Sequence, residues 1–295
     1  MNNNKTFTTH EDPRKYEVFS NEKLPQLEYT VNIDGCGCCP RGDIIAIKAK
    51  SKNGKTFLAT LFASAILGAH FEKVYAYDEQ TPNTLLYFDT EQNRINTQLI
   101  VKRIHTICSM RKKIEKERFH AYCLREMGYD ARLNFIEGLT MEKKPTAIVV
   151  DGIADLILDF NDIEKSQDVI SRLMKLSSSA NCACFIVIHT NKGKDDDTMK
   201  GHLGTMAWQK CSDVFSVEKD NEGNFNVKET DCRNRSVSPF FFRISHDGIP
   251  FIPEENTEED LDKSVQVAIE QGLELQAQQA AMEREKILEK INKKK

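Results

Sequence analysis

The run Ile45-Ala-Ile-Lys-Ala-Lys-Ser-Lys-Asn-Gly-Lys-Thr56 passes from an apolar segment into a short polar loop ending in Gly54-Lys55-Thr56. Those residue types at that spacing suit a polyphosphate. Backbone N–H groups of a loop that opens a helix face an anion, the Lys55 ammonium reaches the terminal phosphates, and the Thr56 hydroxyl helps hold Mg²⁺. The pattern G-x-x-x-x-G-K-[ST] is met except at its first position, where Ala49 replaces glycine. Ala49 therefore requires a negative φ or a slightly altered turn. Ala49, Lys50, Ser51, Lys52, Asn53, Gly54, Lys55, Thr56 and Phe57 form the expected ATP-binding segment.

Nucleotide hydrolysis needs three further groups: a carboxylate for magnesium, an activator of water, and a contact that senses the γ-phosphate. Asp151 closes the apolar run 147–150, so it belongs at the carboxyl end of a strand, where open α/β sheets bind ligands. There it could hold Mg²⁺ opposite Thr56. Glu91, in Phe88-Asp-Thr-Glu-Gln-Asn93, follows another apolar run and is the expected base; Asp89 competes for that role two residues earlier. His189 ends the run 185–188, where a polar tip can contact both the γ-phosphate and the loop beyond it.

The elements that must position these residues read as an α/β layer. Apolar runs at 43–48, 84–89, 119–124, 147–151 and 184–189 alternate with helical stretches at 56–69, 96–107, 131–139 and 166–178. Short, continuously apolar strands between helices predict a mostly parallel sheet covered on both faces. After His189 the rhythm changes. Residues 214–217, 225–230 and 240–244 read as antiparallel strands added at the C-terminal edge, with Asp220-Asn-Glu-Gly223 as a turn. Residues 1–40 read as an N-terminal extension with a short strand near 27–33, and 41–253 as the ATPase domain. The Glu-, Gln-, Lys- and Ala-rich stretch 254–295 reads as a solvated C-terminal helical tail.

Composition narrows the functional classes. The chain has 295 residues, 40% of them hydrophobic and 29% charged, as in ordinary globular proteins. A formal net charge of −4 gives no global attraction to nucleic acid, so any such contact must come from a local basic loop or from a channel built by several subunits. No apolar run approaches the roughly 20 residues that span a bilayer, and the polar start lacks a signal-peptide core. The expectation is a cytoplasmic protein with no membrane contact. The nine cysteines include Cys36-Gly-Cys-Cys39, which lacks the second pair of ligands that a zinc site needs.

The joint order of the phosphate loop, Tyr87-Phe-Asp-Thr-Glu91, Ile148-Val-Val-Asp151 and Val187-Ile-His-Thr-Asn191 resembles the RecA-like ATPases. It is most similar to the branch holding plasmid RepA and DnaB-type hexameric replicative helicases. The resemblance covers about residues 30–250. It implies that Lys55 and Thr56 bind nucleotide and Mg²⁺, Glu91 is the catalytic base, Asp151 is the second-motif carboxylate, and His189 links ATP to DNA. It implies too that the segment 191–205 lines a central channel, with Lys192, Lys194 and Lys200 on single-stranded DNA. Arg233 and Arg235 resemble the basic pair that ring helicases extend to a neighbour's ATP. Departures are Ala49, the acidic trio Asp195-Asp-Asp197, and the lack of a collar domain before the core. The expected function is an ATP-hydrolysing motor, a DNA helicase or helicase-like replication protein of a plasmid, phage or mobile element, self-associating as a hexameric ring. The alternatives are a recombination or repair ATPase that forms filaments on DNA, and a regulatory nucleotide-binding protein without motor activity.

Overall fold

A computed structural model describes residues 12–253 except 79, 112–115, 192 and 194–196. The chain divides after Pro250; of the second unit, 251–295, only residues 251–253 are described, so the expected tail helix lies outside the described residues. In the first unit β3 (Ile44–Ala49), β5 (Leu85–Asp89), β6 (Phe119–Cys123), β7 (Ala147–Asp151), β8 (Ala183–His189) and β9 (Asp213–Lys219) all run parallel. β10 (Phe225–Cys232) and β11 (Phe240–Ile244) add antiparallel strands beyond β9. With β12 (Pro250–Phe251) the sheet order is β12-β11-β10-β9-β3-β8-β7-β5-β6. β1 (Tyr29–Ile33), β2 (Cys36–Pro40) and β4 (Val74–Ala76) form a separate three-stranded sheet, ordered β2-β1-β4.

The continuous apolar runs follow from burial on both faces. One face carries Ile44, Ala46, Phe88, Ile148, Val150, Cys184 and Ile186 against α3 (Tyr129–Lys143), α4 (Ile163–Ala180) and α5 (Gly201–Lys210). The opposite face packs on α1 (Lys55–Ile66), whose Phe62 ring meets Phe185 and Phe215. α1 is buried nearly all round, as its unbroken apolar sequence requires. α2 (Arg94–Arg111) lies beside α1.

β9 runs parallel to β3 and antiparallel to β10, which is antiparallel to β11, so the three strands after His189 alternate in direction as the sequence reading expects. The stretch 201–205, read as part of a loop, opens α5, since its two glycines hide a helix that buries Leu203 and Ala207. The cysteine-rich segment 36–40, given no element of its own in the sequence reading, is strand β2. Gly37 is needed there, because a Cβ would press on the rings of Tyr29 and Tyr77.

Candidate active site

Register brings the predicted residues to one edge. Ala49 pairs with His189, and Asp89 with Asp151, so β3, β5, β7 and β8 all end on the same side of the sheet. The loop from β3 into α1 then turns through two left-handed residues, Lys52 (φ 64°) and Gly54 (φ 86°). Alternation of this kind turns successive N–H groups inward and makes an anion-binding concavity at the N-terminus of α1. Gly54 has no tolerable replacement, since a Cβ at that position would collide with the Phe225 ring. Ala49 ends β3 without a positive φ, and the left-handed residues of the turn come later, at Lys52 and Gly54.

Lys55 is buried and folds back over the loop, donating to the carbonyls of Lys50 (3.0 Å) and Ala49 (3.3 Å). Burial lowers its pKa, opposed by Glu91 and Asp151. Lys55 Nζ also lies 3.0 Å from His189 Nδ1. An ammonium can only donate, so Nδ1 accepts and the neutral ring carries its proton on Nε2. That nitrogen faces Glu91 Oε2 at 3.8 Å. The His189 ring holds the Glu91 carboxyl below its ordinary pKa, against the effect of burial and with help from Lys55. Lys55, His189 and Glu91 thus form one polar chain across the mouth of the loop.

Asp151 is buried at the tip of β7. Its Oδ2 accepts from Thr56 Oγ1 (3.0 Å) and Tyr87 Oη (2.7 Å). Burial pushes its pKa up to about 6, partly opposed by the Tyr87 hydrogen bond. Asp89, the competing carboxylate, serves a different purpose. Its Oδ1 accepts from the backbone N–H of Gln92 (2.9 Å) and Glu91 (3.2 Å), and its Oδ2 from Thr97 Oγ1 (2.7 Å). Those bonds fix the turn that presents Glu91, whose side chain stays 59% exposed.

Lys55, Thr56, Glu91, Asp151 and His189 line a cavity of about 580 Å³ together with Phe57 and the α2 residues Asn96, Leu99, Ile100 and Arg103. The spacing 96, 99, 100, 103 is one helical face. Arg103 is not among the residues that the sequence singled out; the helical period of α2 is the signal that could have found it. A larger cavity of about 760 Å³, lined by Ile95, Tyr122, Met127 and Phe135, lies elsewhere on α2 and contains no phosphate-binding loop.

The other expected residues stand apart from this cavity. Arg233 and Arg235 follow β10, whose Cys232 pairs with Asp213 at the start of β9. They are exposed at the sheet edge opposite the phosphate loop, and Arg233 Nη2 donates to the Lys210 carbonyl at 2.8 Å. Lys192 and Lys194 lie outside the described residues. Lys200 precedes α5, with its ammonium 4.4 Å above the Phe160 ring. Asp197 is paired with the buried Lys48 of β3 at 2.8 Å, which cancels part of the acidic character of that segment. The base of the segment is tied behind His189: Lys200 N–H donates to the His189 carbonyl (2.9 Å), and Asn191 N–H to that of Thr198 (3.0 Å).

Residues 16–195 match the family model described as an AAA domain, more than half of the chain. The chain belongs to the AAA domain family. This AAA domain protein is a P-loop ATPase of RecA-like type, and its fold has solved counterparts. A KaiC-like protein from the hyperthermophilic archaeon Pyrococcus horikoshii OT3 superposes with a TM-score of 0.54 at 11% sequence identity, covering 78% of this chain and 99% of that one. No curated protein matches the AAA domain protein by sequence. Among its described residues, no helix is long and apolar enough to cross a membrane.

Proposed function

We propose that this ATPase is a motor on single-stranded DNA, a helicase or helicase-like replication protein of the RepA/DnaB type that works as a hexameric ring. The observation carrying this reading is the position of His189. Its ring touches Lys55 and faces Glu91, while its backbone holds the base of the segment that leads into α5. A change at the terminal phosphate is therefore felt next to the segment of sequence that contains Lys192, Lys194 and Lys200. Coupling needs an element whose arrangement both sites bias, and this tip of β8 is such an element.

In this reading Lys55 and the loop N–H groups hold the phosphates, and Glu91 takes a proton from the attacking water. His189 orients Glu91 and registers the γ-phosphate. Thr56 and Asp151 offer hard oxygen donors, and the buried Asp151 carboxylate takes its hydrogen bonds from two neutral hydroxyls, so both suit Mg²⁺. The ion supplies charge neutralisation at the phosphates.

The decisive experiment is the ATPase rate with and without single-stranded DNA, alongside solution mass and a strand-unwinding assay. DNA-stimulated turnover with unwinding by a hexamer supports the proposal. Stimulation without unwinding points to a filament-forming ATPase, and turnover indifferent to DNA to a regulatory switch. Lys55→Ala should abolish hydrolysis with the fold intact, because a contact to developing phosphoryl charge is commonly worth several kcal/mol, about 3 or more.

A further inference from the structure

Arg103 has no role in the function proposed above. Its guanidinium carbon sits 4.3 Å above the centroid of the Phe57 ring, in the first turn of α1 and one residue after Thr56. Its Nε donates to the Gly248 carbonyl at 2.7 Å, which fixes the plane of the fork. Among the described residues no carboxylate lies within salt-bridge distance of it. Burial lowers its pKa, opposed by the Tyr87 phenol.

A partly desolvated, unpaired guanidinium is costly unless an anion completes it. Arg103 lines the same cavity as the phosphate loop. Its fork is preset by the Gly248 bond and the Phe57 stack, and a planar fork matches phosphate oxygens. Position along the nucleotide follows from the neighbours. Glu91 and His189 gather at the Lys55 ammonium, where the terminal phosphate is cut. Phe57 lies further into α1, and no hydrogen bond joins Arg103 to Glu91 or His189 among the described contacts.

We propose that Arg103 binds the phosphate chain of the nucleotide at its non-transferred end, supplying ground-state affinity and not transition-state stabilisation. This rests on the reading of the cavity as a nucleotide site. Contact with a phosphate shared by ATP and ADP strengthens both complexes equally, which lowers KM without altering kcat.

The test compares wild type, Arg103→Gln and Arg103→Lys. Dissociation constants are measured for Mg–ATP, Mg–ADP and inorganic triphosphate, with kcat at saturating ATP and the melting temperature of the free protein. Loss of one charge-assisted contact should weaken all three ligands by about tenfold to a hundredfold in Arg103→Gln, with kcat near wild type. Arg103→Lys should fall between, since it keeps the charge and loses the fork. Unchanged ADP affinity in Arg103→Gln overturns the proposal, as does lost turnover with ADP binding intact. Weakened ADP with unchanged triphosphate binding also overturns it, because it assigns the guanidinium to the ribose or base. If Arg103→Gln does not fold, Arg103→Lys carries the test and must weaken ADP severalfold. Wild-type protein that binds no nucleotide removes the underlying reading instead.

Discussion

Thr56 Oγ1 donates to Asp151 Oδ2 across 3.0 Å, although 95 positions separate the two residues in the chain. The bond joins the phosphate loop on β3 to the tip of β7, with β8 between them. Tyr87 Oη donates to the same carboxylate oxygen at 2.7 Å, so Asp151 is held by two neutral hydroxyls. Hydroxyl donors orient a carboxylate but do not neutralise it, which leaves the buried charge expensive until a cation arrives.

That expense gives a pH signature. Asp151 has a folded pKa of about 6 against an ordinary 3.8, so the folded state holds its proton more tightly than the unfolded one. Stability from this group is then highest below about pH 4 and falls as pH rises through about 6. A gap of about two units at 1.36 kcal/mol each gives up to roughly 3 kcal/mol lost across that window. Asp151→Asn should remove the loss and be more stable than wild type at pH 8 in urea unfolding without nucleotide. It should also bind Mg²⁺-nucleotide poorly. Asp213, raised to about 6 as well, is present in both proteins and cancels in the comparison. A stability difference that does not vary with pH would contradict the assignment.

The two carboxylates after β5 should separate cleanly. Glu91→Gln keeps the shape of the side chain but cannot take a proton, so ATP binding should persist while hydrolysis falls by about 10²–10⁴-fold. Asp89→Asn weakens the acceptor of two backbone N–H groups and of Thr97, and its first effect should be on stability, about 1–3 kcal/mol. Near-normal turnover in Glu91→Gln with a crippled but stable Asp89→Asn would reverse these roles.

The residues at the strand tips were legible in the sequence because a parallel, doubly covered strand is continuously apolar, and a polar residue that ends it stands out. Asp151, His189 and the turn bearing Glu91 were found this way. The antiparallel strands β9, β10 and β11 were legible too, from the short turn between the first two, but not that β9 joins the sheet beside β3, since an apolar run announces burial and not its neighbour. α5 was hidden because Gly201 and Gly204 depress helix propensity, while the burial of Leu203 and Ala207 overrides it. Arg103 was invisible as a site residue because its environment is made by Phe57, 46 positions away, and by the Gly248 carbonyl, 145 positions away.

The basic segment behind His189 has a salt-dependent test. Replacing Lys192, Lys194 and Lys200 together by Ala should weaken single-stranded DNA binding and flatten its salt dependence. Each lost phosphate contact lowers the log–log slope by a little under one unit. Lys200 is exposed beside Phe160, so its removal should leave the melting temperature within about 1 °C of wild type. Unchanged affinity and slope would place any DNA contact elsewhere.

The arginines after β10 make a prediction about assembly. Arg233 N–H donates to the Ser212 carbonyl and Ser212 N–H to that of Ile44, which sets Arg233 level with the start of β3. The phosphate loop begins at the other end of that strand, roughly 17 Å away at about 3.3 Å per residue. Neither arginine reaches the site of its own chain; a role in hydrolysis requires a second copy. A phosphoryl transition state spreads charge that an arginine supplied in trans can neutralise, worth about 10³-fold or more in turnover. Arg233→Ala or Arg235→Ala should then lose hydrolysis while still binding ATP. Lys55→Ala protein is also inactive, but a mixture of the two variants contains interfaces that pair an intact loop with an intact arginine. Such a mixture should regain part of the wild-type rate at protein concentrations that support assembly. A mixture as inactive as its components, or full activity from a strict monomer, would remove the case for a shared site.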